Sequence, residues 1–291
     1  MAGHVLVGAD GSESSLEAVA VAAHEARRRG LGVRVVTTFN VPAHRIRHGT
    51  TSTESAEPEL RARAEEVVAE AVERARAAEP ELAPVEGEAV RGEALTVLAG
   101  RSRDATLVVV GSRGLGAFSG LLIGSVAVHL AAHADCPVLV VRGRAHPEGP
   151  VAVAVDGSDA AKAAVETAFE AAAQREVGLL AVHVWNTWSG TGPAGPGGPA
   201  PLWFDTDKLR EDSEQTLTGA LAAGRDRHPD VEVEARSVHG RVRQSLIETS
   251  QDAGLLVVGA RGRGGFQGLL LGSVSQALLH HADCPVLVTR R

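Results

Sequence analysis

Short apolar runs and longer amphipathic stretches alternate along this chain, and the whole alternation occurs twice. Runs such as VLVGA and TLVVVG are almost continuously apolar, as expected of parallel strands covered on both faces. In the first half the pattern predicts strands over 4–9, 33–39, 85–90, 106–110 and 137–141. Helices are predicted over 12–29, 58–78, 94–100 and 125–132, with Ser12 as an N-cap and Gly30 as the glycine that ends the first one. The second half predicts strands over 151–155, 179–184, 231–237, 255–258 and 285–289. VEVEARS (231–237) alternates instead of running apolar, which suits a strand at a sheet edge. Strands alternating with helices mean a doubly wound, Rossmann-like α/β fold.

The repetition is literal. GSRGLGAFSGLLIGSV begins at Gly111 and GARGRGGFQGLLLGSV at Gly259. HADCPVLV occurs at 133–140 and again at 281–288, and VGADGS at the start returns as AVDGS ending at Ser158. The offsets are 146–148 residues, so a whole domain has been duplicated rather than a short solenoid unit. The expected layout is a domain over 1–143, a linker over 144–150 within the Gly/Pro-rich RGRAHPEGP, and a second domain over 151–291. Two low-order segments, 43–57 and 190–201, follow the second strand of each copy and read as solvated loops.

Composition narrows the chemistry. A chain of 291 residues with a formal charge of -7 does not offer the basic surface that grips nucleic acid. No run approaches the length of a membrane span, and HVLVGAD opens without a leader-like basic segment. Two cysteines make no disulfide framework, so the expected setting is the reducing cytoplasm. Lys162 and Lys208 are the only lysines, so a phosphate site here must work without a loop lysine.

The strongest local signal is G-x2-G-x9-G-S. It comprises Gly111, Gly114, Gly124 and Ser125 in one copy, and Gly259, Gly262, Gly272 and Ser273 in the other. Each loop leaves a buried strand and enters a helix. Glycines there allow close backbone approach, and a Gly-Ser helix start presents free N–H groups and the positive dipole end to an anion. A ligand-free glycine hairpin is the rival reading, and the matched duplication weighs against it. The G-x4-G-K-[ST] phosphate loop is absent, as is G-x-G-x-x-G at the first-strand turns. Asp10 and Asp156 end the first strands. In a doubly wound sheet they face the glycine loop across the crevice between strands one and four, where they would bond a nucleoside or help hold phosphate-bound Mg²⁺.

These motifs, with the closing Asp-Cys-Pro-Val-Leu-Val strand, resemble the ATP-binding branch of the universal stress protein family, as two family domains in tandem. The resemblance implies two five-stranded parallel sheets of order 3-2-1-4-5, and ATP, with Mg²⁺, held between the ends of strands one and four. It implies a site in the first domain from Gly8, Ala9, Asp10, the loop residues Gly111, Ser112, Arg113, Gly114, Leu115, Gly116 and Ala117, and Gly124, Ser125 and Val126. In the second domain the matching set is Ala154, Asp156, Gly259, Ala260, Arg261, Gly262, Arg263, Gly264, Gly265, Gly272, Ser273 and Val274. Backbone after strand two, at Phe39, Asn40 and Val41 and at Val184, Trp185 and Asn186, would contact adenine. Ala154 stands where the family commonly has glycine, and its methyl is expected to crowd the second site slightly. The fifth strands pair across a two-fold axis in the family, so this chain is expected to form either a homodimer or an internal pseudo-dimer.

Other constellations carry less. Cys136 and Cys284 open the last strands and read as small buried hydrophobes. His129 and His133 share a helix face, but no Glu or third ligand accompanies them, and no elbow motif anchors a Ser-His-Asp triad. The functional expectation is an ATP-binding regulatory stress-response protein, with one site per domain and a regulatory protein as partner. The alternatives are slow ATP hydrolysis or phosphotransfer, for which Arg113, Arg261 and Asp10 or Asp156 are the candidates, and a ligand-free dimerising interaction module.

Overall fold

A computed structural model describes residues 3–40, 53–115, 123–144, 146–186, 205–263 and 270–290. Strands β1 (His4–Gly8), β2 (Gly32–Phe39), β3 (Val85–Arg91), β4 (Leu107–Gly111) and β5 (Val138–Val141) form the first half. They are joined through helices α1 (Glu13–Arg29), α2 (Thr53–Ala78), α3 (Ala94–Arg101) and α4 (Ser125–His133). The second half repeats the order with β6 (Val151–Ala154), β7 (Leu179–Trp185), β8 (Val233–His239), β9 (Leu255–Gly259) and β10 (Val286–Thr289). Its helices are α5 (Asp159–Arg175), α6 (Thr206–Arg227), α7 (Val242–Thr249) and α8 (Ser273–His281). Predicted boundaries fall within a few residues of these, the largest change being the earlier start of α2 at Thr53. The same helix takes in 53–57, which the sequence suggested as loop; 190–201 lies outside the described residues.

Local chemistry sets the elements. Ser12 caps α1 by accepting from the Ser15 amide, and Gly30 ends it at φ 63° with its N–H turned back to the last helical carbonyls. Ser158 caps α5 in the same way, through the Ala161 amide. The buried stripe of α1 is Ala18, Val19, Ala22, Ala23 and Ala26, small side chains that let the helix lie close to the sheet. α1, α2, α5 and α6 cover one face of the sheet, and α3, α4, α7 and α8 cover the other.

Within each half the strand order is 3-2-1-4-5, all parallel, as expected. The expectation of two separate sheets needs correction. There is one ten-stranded sheet, β3-β2-β1-β4-β5-β10-β9-β6-β7-β8, joined by antiparallel pairing of β5 with β10. VLVV and VLVT are buried on both faces, so each would leave a row of unpaired backbone groups if it stood as an open edge. Of the partners the sequence left open for these strands, the structure shows the internal one. The polar-patterned β3 and β8 form the outer edges instead.

The seam between halves is built of more than two strands. Arg142, just past β5, donates to the Leu278 and Leu279 carbonyls at the end of α8, and Arg290, just past β10, donates to the Ala134 carbonyl. On the other face, Glu25 is only 2 % exposed and accepts from Arg28 and Arg29 of its own helix and from Arg175 of α5, the last at 2.7 Å. Burial pushes the Glu25 carboxyl up, but Arg29, Arg175 and Arg28 outweigh it and hold the group below its ordinary range. The connecting segment is docked: the Arg144 amide donates to Asp283 O and the Gly254 amide to Pro150 O. No helix among the described residues is long and apolar enough to cross a membrane.

Candidate functional site

Two clefts of nearly equal size, about 440 and 450 Å³, open at the C-terminal ends of β1 and β4 and of β6 and β9. The strand order reverses at these points, which is where an open α/β sheet leaves a crevice. Both volumes fall in the range of small-molecule sites, about 300–1,000 Å³.

The first cleft is shaped by a loop tied down from below. Asp10 sits in the turn after β1, where Gly11 takes φ 83°, and its carboxylate faces both ways. Its Oδ1 accepts from the Ser12 amide at 3.0 Å and the Ser12 hydroxyl at 2.6 Å, while Oδ2 accepts from the Leu115 amide in the glycine loop at 2.8 Å. Burial pushes this carboxyl up, yet the bonds from the Ser12 hydroxyl, the Leu115 and Ser12 amides and Ser15 prevail and keep it below its ordinary value. In the second cleft Asp156 does the same work, accepting from the Ser158 amide at 2.9 Å and the Arg263 amide at 3.0 Å.

Three glycines of each loop have different reasons to be glycine. A Cβ at Gly111 would come within 2.6 Å of Ser14 O, and one at Gly259 within 2.9 Å of Ala160, so these let the strand end pass the start of α1 or α5. A Cβ at Gly114 or Gly262 would run into the Oδ2 of Asp10 or Asp156. At Gly124 and Gly272 the neighbours among the described residues are no nearer than 3.6 and 3.4 Å and the backbone is ordinary extended, so neither their packing nor conformation demands a glycine. These last two are the N-caps of α4 and α8, and no side chain caps the first-turn amides there. The start of each helix therefore faces its cleft with free donors and the positive end of its dipole.

Most residues singled out in the sequence come together. Gly8, Ala9, Asp10, Gly111, Arg113, Gly114, Gly124, Ser125 and Val126 line the first cleft. Ala154, Asp156, Val184, Gly259, Arg261, Gly262, Arg263, Gly272, Ser273 and Val274 line the second. Ala154 lines the second cleft and packs against the apolar layer beneath it. Ser112 and Ala260 are buried beneath the loops rather than in the clefts, and Leu115 is 75 % exposed. Val41, Gly116, Ala117, Gly264 and Gly265 lie outside the described residues.

The second strand of each domain also reaches its cleft. Val36 and Thr38, and Val182 and Val184, line the clefts, whereas Phe39, Asn40, Trp185 and Asn186 do not. Side chains on a strand alternate, so 36 and 38 share a face and 39 takes the other. The Phe39 and Trp185 carbonyls are occupied by the Gly92 and Gly240 amides, Asn40 pairs with Glu93, and the Trp185 indole donates to Ser237 at 2.9 Å. Sequence reasoning also missed Ser15, Leu98 and Ile123 in the first cleft, and Ala161, Leu246 and Leu271 in the second. Ile123 and Leu271 each precede the final glycine of the motif and could have been found there; Leu98 and Leu246 carry no local mark beyond helix periodicity.

Behind the second cleft, His183 of β7 shares a hydrogen bond with the Ser213 hydroxyl at 2.7 Å, and Ser213 continues to Ser237 at 2.7 Å. Burial, then the Arg263 guanidinium, push the His183 imidazole below its ordinary value, against a smaller opposing pull from Asp156. The register-matched residue of the first domain is Thr37. Cys136 and Cys284 are buried, their thiols pushed up to about 12 by desolvation, which suits the packing role expected of them. His129 and His133 bond carbonyls of their own helix, and among the described residues no His/Cys/Asp/Glu group could hold a metal ion.

Comparison with known proteins gives the frame a lineage. The family model described as "Universal stress protein family" matches residues 1–142 and 149–290. A universal stress protein of Mycobacterium tuberculosis (strain ATCC 25618 / H37Rv) is 36% identical over 304 residues, covering 98% of this chain and 94% of the relative. One of Mycolicibacterium smegmatis is 40% identical over 193 residues, covering 65% of this chain and 63% of its own. Among solved structures, a universal stress protein from Archaeoglobus fulgidus superposes with a TM-score of 0.69 at 21% identity, covering 99% of this chain and 96% of that one. That likeness concerns the fold.

Proposed function

The chain belongs to the universal stress protein family, and on that premise we propose that each of its two domains binds an adenine nucleotide, ATP with Mg²⁺, as a regulatory stress-response protein. The observation that carries this reading is the paired helix start. Gly124 and Gly272 leave space that the fold itself does not require, directly before uncapped first turns facing clefts of ligand size. A phosphate chain suits that arrangement, because backbone donors and the helix dipole favour an anion that approaches closely.

In this reading the loop residues around Gly114 and Gly262, with Ser125 and Ser273, hold the phosphates. The apolar floor of Val36, Leu98 and Val110, or Val182, Leu246 and Val258, receives the base. Asp10 and Asp156 set the loops in place through their amide bonds, and their remaining lone pairs face the nucleoside or a phosphate-bound magnesium. The arrangement supports binding more than turnover, since the carboxylates that would serve as bases already accept from the loops. Nucleotide state would then be read by a regulatory protein partner.

Thermal melting with Mg-ATP, Mg-GTP and cyclic AMP tests the proposal. At 100 times its dissociation constant a single-site ligand adds about 2.7 kcal/mol to folded-state stability, enough for a clear rise in Tm. The expected result is a rise with Mg-ATP that disappears in the Gly114→Ala/Gly262→Ala chain. No rise with any nucleotide at millimolar concentration refutes it.

A further inference from the structure

The two clefts share a frame but not a charge. In the first, the charged side chains on the wall among the described residues are Asp10 and Arg113, which cancel. In the second they are Asp156, Arg261 and Arg263, which leave one positive charge over. Across the complete loops, 111–125 contains Arg113 alone, while 259–273 contains both Arg261 and Arg263. The extra arginine stands at the position of Leu115, 148 residues earlier, whose side chain projects to solvent and is absent from the cleft wall.

Arg263 is well placed to act on a ligand. Its amide is fixed by Asp156, and its guanidinium lies over the turn before α5, with Nη2 within 2.6 Å of where a Cβ on Gly157 would stand. A side chain at 157 would displace it; glycine leaves the guanidinium room there, beside a cleft whose wall includes Arg263. Other wall positions diverge as well: the first cleft has Thr38 and Ser15 where the second has Val184 and Ala161, and the second has Ser275 where the first has Ala127. With one arginine fewer, the loop end of the first cleft is the weaker attractor for an anion.

We propose that Arg263 makes the second cleft select nucleotides by the length of their phosphate chain, while the first discriminates far less between mono- and triphosphate. A guanidinium binds phosphate oxygens through parallel N–H bonds, and each added phosphate brings negative charge that only the second cleft meets with an unbalanced cation. The assignment rests on the reading that both clefts bind adenine nucleotides.

The test uses the full chain with one cleft disabled at a time. Titrations with ATP and AMP on Gly114→Ala protein report the second cleft, and those on Gly262→Ala protein report the first. The ATP-to-AMP affinity ratio should be about fivefold larger at the second cleft, as one additional partly exposed charge pair supplies. Arg263→Leu in the Gly114→Ala chain should lower the ATP-to-AMP affinity ratio by that factor, ATP affinity falling more than AMP affinity. Leu115→Arg in the Gly262→Ala chain should raise the ratio at the first cleft. Should a blocked chain fail to fold, Arg263→Leu in the otherwise native chain serves, the ATP-to-AMP ratios of its two clefts converging. Equal ratios at both clefts, unmoved by either exchange, overturn the assignment. Failure of both nucleotides to bind at all refutes instead the underlying proposal of nucleotide sites.

Discussion

After Gly114 the first domain places Leu115, 75 % exposed; after Gly262 the second places Arg263, on the wall of its cleft. Behind the first cleft lies Thr37, behind the second His183 bonded to Ser213. At the seam Glu25 has Ala171 as its counterpart, whereas Arg29 and Arg175 match each other and both reach the one carboxylate. The elements these residues ride on are alike in order, register and cleft volume. Duplication has therefore kept what holds the loop in position, the Asp-to-amide bond and the clash-free glycines, and released the residues that set charge around it. Frame and local charge are carried by different positions, so one can change without the other.

The seam offers the largest effect by which to probe this asymmetry. Removing the Glu25 carboxylate leaves Arg29 and Arg175 partly buried without their common partner. Glu25→Ala should then cost about 3 kcal/mol in denaturant unfolding, the scale seen when one member of a buried ion pair is lost. Ala171→Glu, which supplies the missing counterpart, should recover part of that loss in the Glu25→Ala chain. If Glu25→Ala unfolds at the same denaturant concentration as the native chain, the shared carboxylate does not hold the halves together.

A smaller effect separates the two domains by pH. The His183 imidazole is depressed in the folded state by burial and Arg263, so the unfolded chain takes up its proton first. The stability that neutral His183 permits is complete above its ordinary value of 6.5 and is lost as pH falls from there toward the lowered folded value. His183→Thr, which installs the residue of the first domain, should shrink the drop in Tm between neutral and mildly acidic solution. An unchanged drop would assign it to other groups, such as His4 and His280, whose imidazoles burial also lowers.

Much of the frame was legible because its causes are local. Continuous apolar runs gave the parallel strands, the alternation of VEVEARS gave the edge, and the spacing of Gly111, Gly114 and Gly124 gave the loop. Asp10 and Asp156 were found by position at the strand end. The seam was not legible, since Glu25 and Arg175 look like ordinary charges on solvated helices until the fold sets α1 beside α5. After the second strand the resemblance points to Phe39, Asn40 and Val41 and to Val184, Trp185 and Asn186; Val184 lines its cleft, and strand alternation brings in Val182 beside it and Val36 and Thr38 in the first domain. Ser112 and Ala260 are buried where their amides extend the sheet, donating to the Val141 and Thr289 carbonyls, a pairing between distant stretches that neither stretch specifies alone.

The central claim is one nucleotide site per domain, and calorimetric titration with Mg-ATP tests it most directly. The native chain should bind two nucleotides. Gly114→Ala and Gly262→Ala should each keep one site of native affinity and show the other weakened by at least about tenfold, because the added methyl meets the carboxylate that positions the loop. A stoichiometry of one in the native chain, or two sites of native affinity in both variants, would contradict one nucleotide site per domain.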